Sequence, residues 1–306
     1  MQITRSTQVP RQGARPDRTG SGTGGTGGSG GTGTTPAPLS SLTRALLMTF
    51  GVLTALAVVA LLGGATRTDD AFAWTIQPPL AAAFLGAGYA SGCVLVLLTL
   101  RAGTWAQARW PLLTILVFTV LTLVATVLHL DRFHLPGETA LATVAAWFWL
   151  AVYVVVPVGM AVVMVREERA AGGHGLDGAA VPQPRWFQAS LLVQGVVMGV
   201  IGVCLFVGVD RVVAAWPWAM TPLVAQVTAA WLLAFAVAAV LAVREDVRLL
   251  GPAGAGYLVF GAAELLAVAL HRGDLEGGSA DLVFLLGAAW VALTGVAAVI
   301  LSRRAT

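Results

Sequence analysis

Eight apolar stretches, each near the twenty or so residues that cross a bilayer, constrain this chain more than any other feature. They run at about 42–64, 80–100, 111–130, 140–165, 188–209, 222–243, 253–271 and 281–301. A spanning segment finds no water in the bilayer interior, so it must satisfy its own backbone polar groups, and a helix does that. Composition agrees. The 306 residues are 57% hydrophobic and 11% charged, where soluble domains carry about 25% charge. So few charges cannot cover a water-soluble fold of this size. The chain therefore reads as an all-α polytopic membrane protein, with the lipid bilayer as its first partner.

Arginine sets the orientation. All eighteen basic residues are Arg. With the N-terminus inside, Arg44, Arg101, Arg109, Arg166, Arg169, Arg185, Arg244, Arg248, Arg303 and Arg304 fall in cytoplasmic segments. The outer loops keep Arg67, Arg132, Arg211 and Arg272 beside acids such as Asp69, Asp70, Asp131 and Asp274. This is the positive-inside bias, and it predicts both termini on the cytoplasmic side of the cell membrane. The net charge of +3 is spread over loops rather than gathered in a patch, which excludes nucleic acid as a partner. Cys93 and Cys204 lie inside apolar runs and read as small buried hydrophobes.

Residues 1–40 form a tail of Gly, Thr, Ser, Pro and Arg. It lacks apolar periodicity and should stay disordered. Its first apolar core begins near Leu42, too late for a cleavable signal peptide, so the first helix is expected to be retained. The membrane region divides into a first repeat at 41–165, a cytoplasmic linker at 166–187 and a second repeat at 188–306. Within the linker, Arg166, Glu167, Glu168 and Arg169 read as a solvated helix end.

The division rests on self-similarity. Trp74 precedes Trp216 by 142 residues, as Leu116-Val117-Phe118 precedes Leu258-Val259-Phe260 and His129 precedes His271. Pro79, Arg101, Glu138 and Trp147 precede Pro222, Arg244, Asp281 and Trp290 by 143. A near-constant offset over such mixed residue types predicts two tandem four-helix repeats. With an even helix count in each, the copies run parallel about an axis along the membrane normal.

The segments before the second and sixth spans are the best preserved: Trp74-Thr75-Ile76-Gln77-Pro78-Pro79-Leu80 and Trp216-Pro217-Trp218-Ala219-Met220-Thr221-Pro222-Leu223. Pro suits a first helical turn and Trp an interface, so an outer aromatic belt is expected. A lid over an outward cavity is the alternative. The Trp-Pro-Trp…Thr-Pro-Leu pattern resembles one in uncharacterised multi-pass membrane proteins of high-GC bacteria, a resemblance that carries no function with it.

Among the polar residues, Glu264 is the ionisable acid well inside a span. Such a group costs of order 3 kcal/mol and marks a functional site by default. Tyr257, Glu264 and His271 recur every seven residues and should share one helix face turned to the interior. Three readings stay open. Glu264 could bond across helices to Gln226, Gln194 or a Thr and serve packing. It could titrate in a small-solute or ion transporter. Alternatively, His129 and His271 could bind haem or a metal in a membrane oxidoreductase. The four-plus-four layout is similar to that of haem A synthase. That family places paired His in each half, whereas each half here repeats one, besides His134 and His174 in loops. Phosphate loops, H-E-x-x-H and G-x-S-x-G motifs are absent from the sequence. Gly88/Gly92 and Gly195/Gly199 form G-x-x-x-G pairs for close helix packing, and Pro157 should kink its helix.

Overall fold

The computed structural model describes residues 38–136, 139–170, 179–208 and 212–305. The tail through residue 37 lies outside them, as do Glu138, His174 and the Gly-rich middle of the linker. Eight long helices form: α1 Ser41–Gly63, α2 Pro79–Ala102, α3 Trp105–Leu128, α4 Ala140–Ala170, α5 Arg185–Val207, α6 Pro222–Ala242, α7 Gly251–Leu270 and α8 Ser279–Ala305. All are long and apolar enough to cross a membrane. The described residues contain no strand, only two isolated bridges, Pro38 with Thr104 and Trp74 with Phe133.

Local chemistry explains the ends. Ser40 caps α1 by accepting the N–H of Thr43, and Thr221 caps α6 by accepting that of Val224. Pro79 and Pro222 occupy first turns, where the missing N–H leaves no helical bond unmade. The N–H of Leu80 instead finds the carboxylate of Asp274, 2.8 Å away on the α7–α8 connection. Gly103 ends α2 in the left-handed region at φ 71°.

Two boundaries differ from expectation. Helix α3 begins at Trp105, a turn and a half before Pro111, because Ala108 N–H already bonds Thr104 and the helix runs on through the proline. Helix α4 continues through Pro157 and on to Ala170. At its end Arg166, Glu168 and Arg169 are exposed, as expected of a solvated helix end, and Glu167 is the exception. Glu167 is 5% exposed and accepts from the Ser40 backbone N–H at 3.0 Å and from the Thr43 hydroxyl. Glu168 accepts from the Trp105 indole at 3.1 Å. The first residues of α1 therefore hold the last turn of α4, and orphan amide donors explain why a carboxylate is buried there.

Helices α2 and α6 are the most buried, each with 78% of its span inside the protein. Helix α2 packs on α1 and α7, and α6 on α5 and α3; α4 lies on α3, and α8 on α7. Four helices thus form the middle, and α1, α4, α5 and α8 face outward. Those outer helices carry exposed Val52, Leu56, Val144, Val155, Val196, Val200 and Leu293, which lipid would cover. Small residues set the closest approaches. A side chain on Gly88 would meet the Trp231 ring at 2.6 Å, and one on Gly261 would strike the backbone of Ala288 and Ala292.

The connections after α3 and α7 are built alike. A 3-10 turn follows His129 at Leu130–Arg132 and another follows His271 at Arg272–Asp274. His134 N–H bonds the carbonyl of Ala73 at 2.9 Å, and Glu276 N–H bonds that of Pro217 at 2.9 Å. The Trp segments are folded under these turns rather than spread as a belt. Trp74 is 1% exposed, packed among Phe72, Phe133 and Trp149, and Trp218 is fully buried. The aromatic-belt expectation fails at both residues, since each ring is covered by protein.

Candidate functional site

The seven-residue stripe on α7 points inward, as its spacing requires: Tyr257 and Glu264 are buried and His271 half-buried. Their surroundings differ. Tyr257 donates its hydroxyl to the carbonyl of Phe235 at 2.8 Å. Glu264, 1% exposed, has no hydrogen-bond partner on either carboxylate oxygen among the described residues. His271 ends α7, and its side chain makes no hydrogen bond among the described residues.

The expected cross-helix partners of Glu264 are occupied elsewhere. Gln226, one turn into α6, takes its carbonyl oxygen to His129 Nε2 at 3.0 Å and its amide to the carbonyl of Phe206 at 3.0 Å. Gln194 on α5 donates its amide to Thr294 Oγ1 at 2.6 Å and to the Trp290 carbonyl at 3.3 Å, which leaves its own oxygen unpartnered. The described side chains include no group of three or more His, Cys, Asp or Glu able to hold a metal ion. His129, with Nε2 engaged by Gln226, keeps only Nδ1 for any ligand.

Glu264 is among the residues lining a cavity of about 680 Å³ between α5, α6, α7 and α8. Its walls are apolar: Phe84 from α2, Met198 and Ile201 from α5, Leu232 from α6, and Phe260 and Phe284 from α7 and α8. Trp216 and Pro217, from the segment before α6, cover one end. Phe84 stands 5.8 Å from Phe260, 6.2 Å from Phe284 and 6.5 Å from Trp216, ring centre to ring centre. The indole N–H of Trp216 is also unpartnered.

The cavity has a side opening. Helices α5 and α8 touch where Ser190 and Gln194 meet Trp290 and Thr294. Nearer the Trp216 end the lining residues Val197, Val283 and Leu286 are 43%, 68% and 62% exposed. Exposed apolar residues from both helices on one cavity wall place its mouth between α5 and α8, on the surface that lipid would cover. Glu264 lies seven residues before His271, or roughly 10 Å of helix from that end of the bundle.

Sequence reasoning found Glu264 from its position in an apolar span, but it missed the aromatic wall. Phe84, Phe260 and Phe284 are ordinary apolar residues in sequence, and only tertiary packing gathers them. The Trp216 segment was legible as a possible lid. No family model matches the chain, and neither a curated protein nor a solved structure matches it.

Proposed function

We propose that this is a membrane protein of the solute-binding or transporter type, which takes a small lipid-soluble molecule from the bilayer and holds it at Glu264. One observation carries the reading: a fully buried carboxylate, with neither oxygen partnered among the described residues, on a residue that lines a cavity opening sideways between two lipid-facing helices. A buried polar group without a partner costs several kcal/mol or more when ionised. Here it ties no helix to another, so packing does not account for it. A largely apolar cavity of several hundred Å³ with a few convergent polar groups is the usual form of a small-molecule site.

The chain's setting is proposed on the same terms: the cell membrane, both termini cytoplasmic, and two tandem repeats related across the middle of the bundle. The Arg asymmetry supports the orientation. Three observations support the repeats: the matched 3-10 turns after His129 and His271, the matched bonds from His134 and Glu276, and the corresponding packing of α2 on α7 and of α6 on α3. The cavity then opens toward the outer leaflet.

The test uses dicyclohexylcarbodiimide, an apolar reagent that reaches carboxyl groups through lipid. In proteoliposomes it should modify Glu264, read by mass spectrometry of the peptide carrying it, and Glu264→Gln should abolish that adduct. Labelling confined to loop acids such as Asp69 and Asp70 would reject the reading.

A further inference from the structure

The cavity's polar inventory is lopsided. The residues that line it carry three buried acceptors without a partner among the described residues, Glu264 Oε1, Glu264 Oε2 and Gln194 Oε1, against one such donor, the indole N–H of Trp216. No basic side chain lines it among the described residues. A ligand that brings hydrogen-bond donors and a positive charge complements these acceptors. An ammonium group does both, and it neutralises the carboxylate without asking any protein group to move.

The apolar wall extends the argument. Phe84, Phe260, Phe284 and Trp216 present ring faces and edges around the same space. Aromatic faces attract cations, and the attraction grows when water is excluded. They also give bulk area to an apolar body, which an anion or a strongly hydrated metal ion would not use.

The two halves treat this place differently. At the 143-residue offset Leu232 corresponds to Tyr89. In the first half Tyr89, Trp149 and Tyr153 crowd the equivalent space, with the two tyrosine hydroxyls bonded to each other, and the remaining cavity is about 160 Å³. The acidic position is also unmatched: Thr122 stands 142 residues before Glu264. Side-chain volume closes one half and leaves the other open.

We propose that the Glu264 cavity binds a protonated organic amine with an apolar, ring-containing body, admitted from the lipid between α5 and α8. This rests on the preceding reading that Glu264 serves a solute site. The ammonium donates to Glu264 and Gln194, and the body lies against Phe84, Phe260 and Phe284.

The probe is tritiated imipramine, a tricyclic amine protonated at neutral pH, measured by equilibrium dialysis on the full chain in non-ionic detergent. Unlabelled imipramine should displace it, and iminodibenzyl, the neutral tricycle, should not at equal concentration. Glu264→Gln should weaken binding about tenfold or more, and Phe84→Leu by several-fold, as expected for losing a desolvated charge partner and one aromatic surface under the ligand's ring-containing body. Phe84→Leu leaves the carboxylate intact, so it carries the test if Glu264→Gln fails to elute as a monodisperse species. Equal displacement by iminodibenzyl, or unchanged affinity in both variants, overturns the amine assignment. Carbodiimide labelling of Glu264 in that case would keep the solute site with a neutral ligand. Absence of both labelling and binding would remove both proposals.

Discussion

His129 Nε2 and Gln226 Oε1 stand 3.0 Å apart and join the end of α3 to the first turns of α6, across 97 residues of chain. The amide of Gln226 is committed to the Phe206 carbonyl, so its oxygen must accept and His129 must donate through Nε2. The residue 143 positions before Gln226 is Ala83, so the sequence offers no second such pair at that offset. Interhelical hydrogen bonds of this kind contribute about 0.6 kcal/mol on average in membranes. A double-mutant cycle of His129→Ala and Gln226→Ala, read by unfolding in mixed micelles, should return a coupling near that value. A coupling of zero would mean the contact holds nothing.

Glu264→Gln should not weaken the fold. The carboxylate makes no hydrogen bond that the amide would lose, and the amide is less costly to bury. We expect the unfolding midpoint of the variant to equal or exceed that of the parent protein. A drop of several degrees would show that Glu264 holds the bundle together, contrary to the solute site.

Gly261→Ala should separate α7 from α8. The added methyl would meet the carbonyl of Ala288 and the N–H of Ala292, which are backbone atoms and cannot rotate aside. Overpacking of this sort costs about 1–3 kcal/mol. Gly287→Ala lies on the same pair of helices in open space and should cost far less. Comparing their thermal unfolding in detergent separates close approach from a general intolerance of change.

Asp246 gives the fold an acid-sensitive clasp. It accepts from the Arg248 guanidinium at 2.6 Å, and from the backbone N–H groups of Arg248 at 2.9 Å and Val181 at 3.2 Å. The Arg248 side chain, foremost among these partners, holds its carboxyl below the usual carboxylate range. A lowered folded value means the stabilisation is complete at neutral pH and is lost as pH falls through that value. Asp246→Asn should be the less stable protein near neutrality, and the two unfolding midpoints should converge as pH falls through the lowered value of the Asp246 carboxyl. Parallel curves would remove the clasp.

Several of these features were visible before the fold. Glu264 stood out because an acid inside an apolar run has no ordinary explanation. The spans were legible to within a few residues at most ends. The start of α3 was not, because Pro111 mimics a first-turn proline while the helix in fact begins at Trp105. Nor was the burial of Glu167, whose role depends on the Ser40 amide, 127 residues away in the chain. Trp74 and Trp218 were expected at the interface and are buried, since an indole suits both settings and its sequence does not separate them.

Hydropathy compares each segment with its solvent, and for that reason the amino-acid sequence alone determined eight helices, their approximate ends and the one costly acid. Neighbour relations are another matter. Lipid tails and Leu side chains are equally apolar, so nothing in a span's composition says whether it meets lipid or another helix. Tertiary structure alone decided that α2 lies on α7 and α6 on α3, that Gln226 serves His129, and that Glu264 lines an open space. A cavity is made of volume that side chains from several helices leave unfilled, and that sum exists only once the helices are in place.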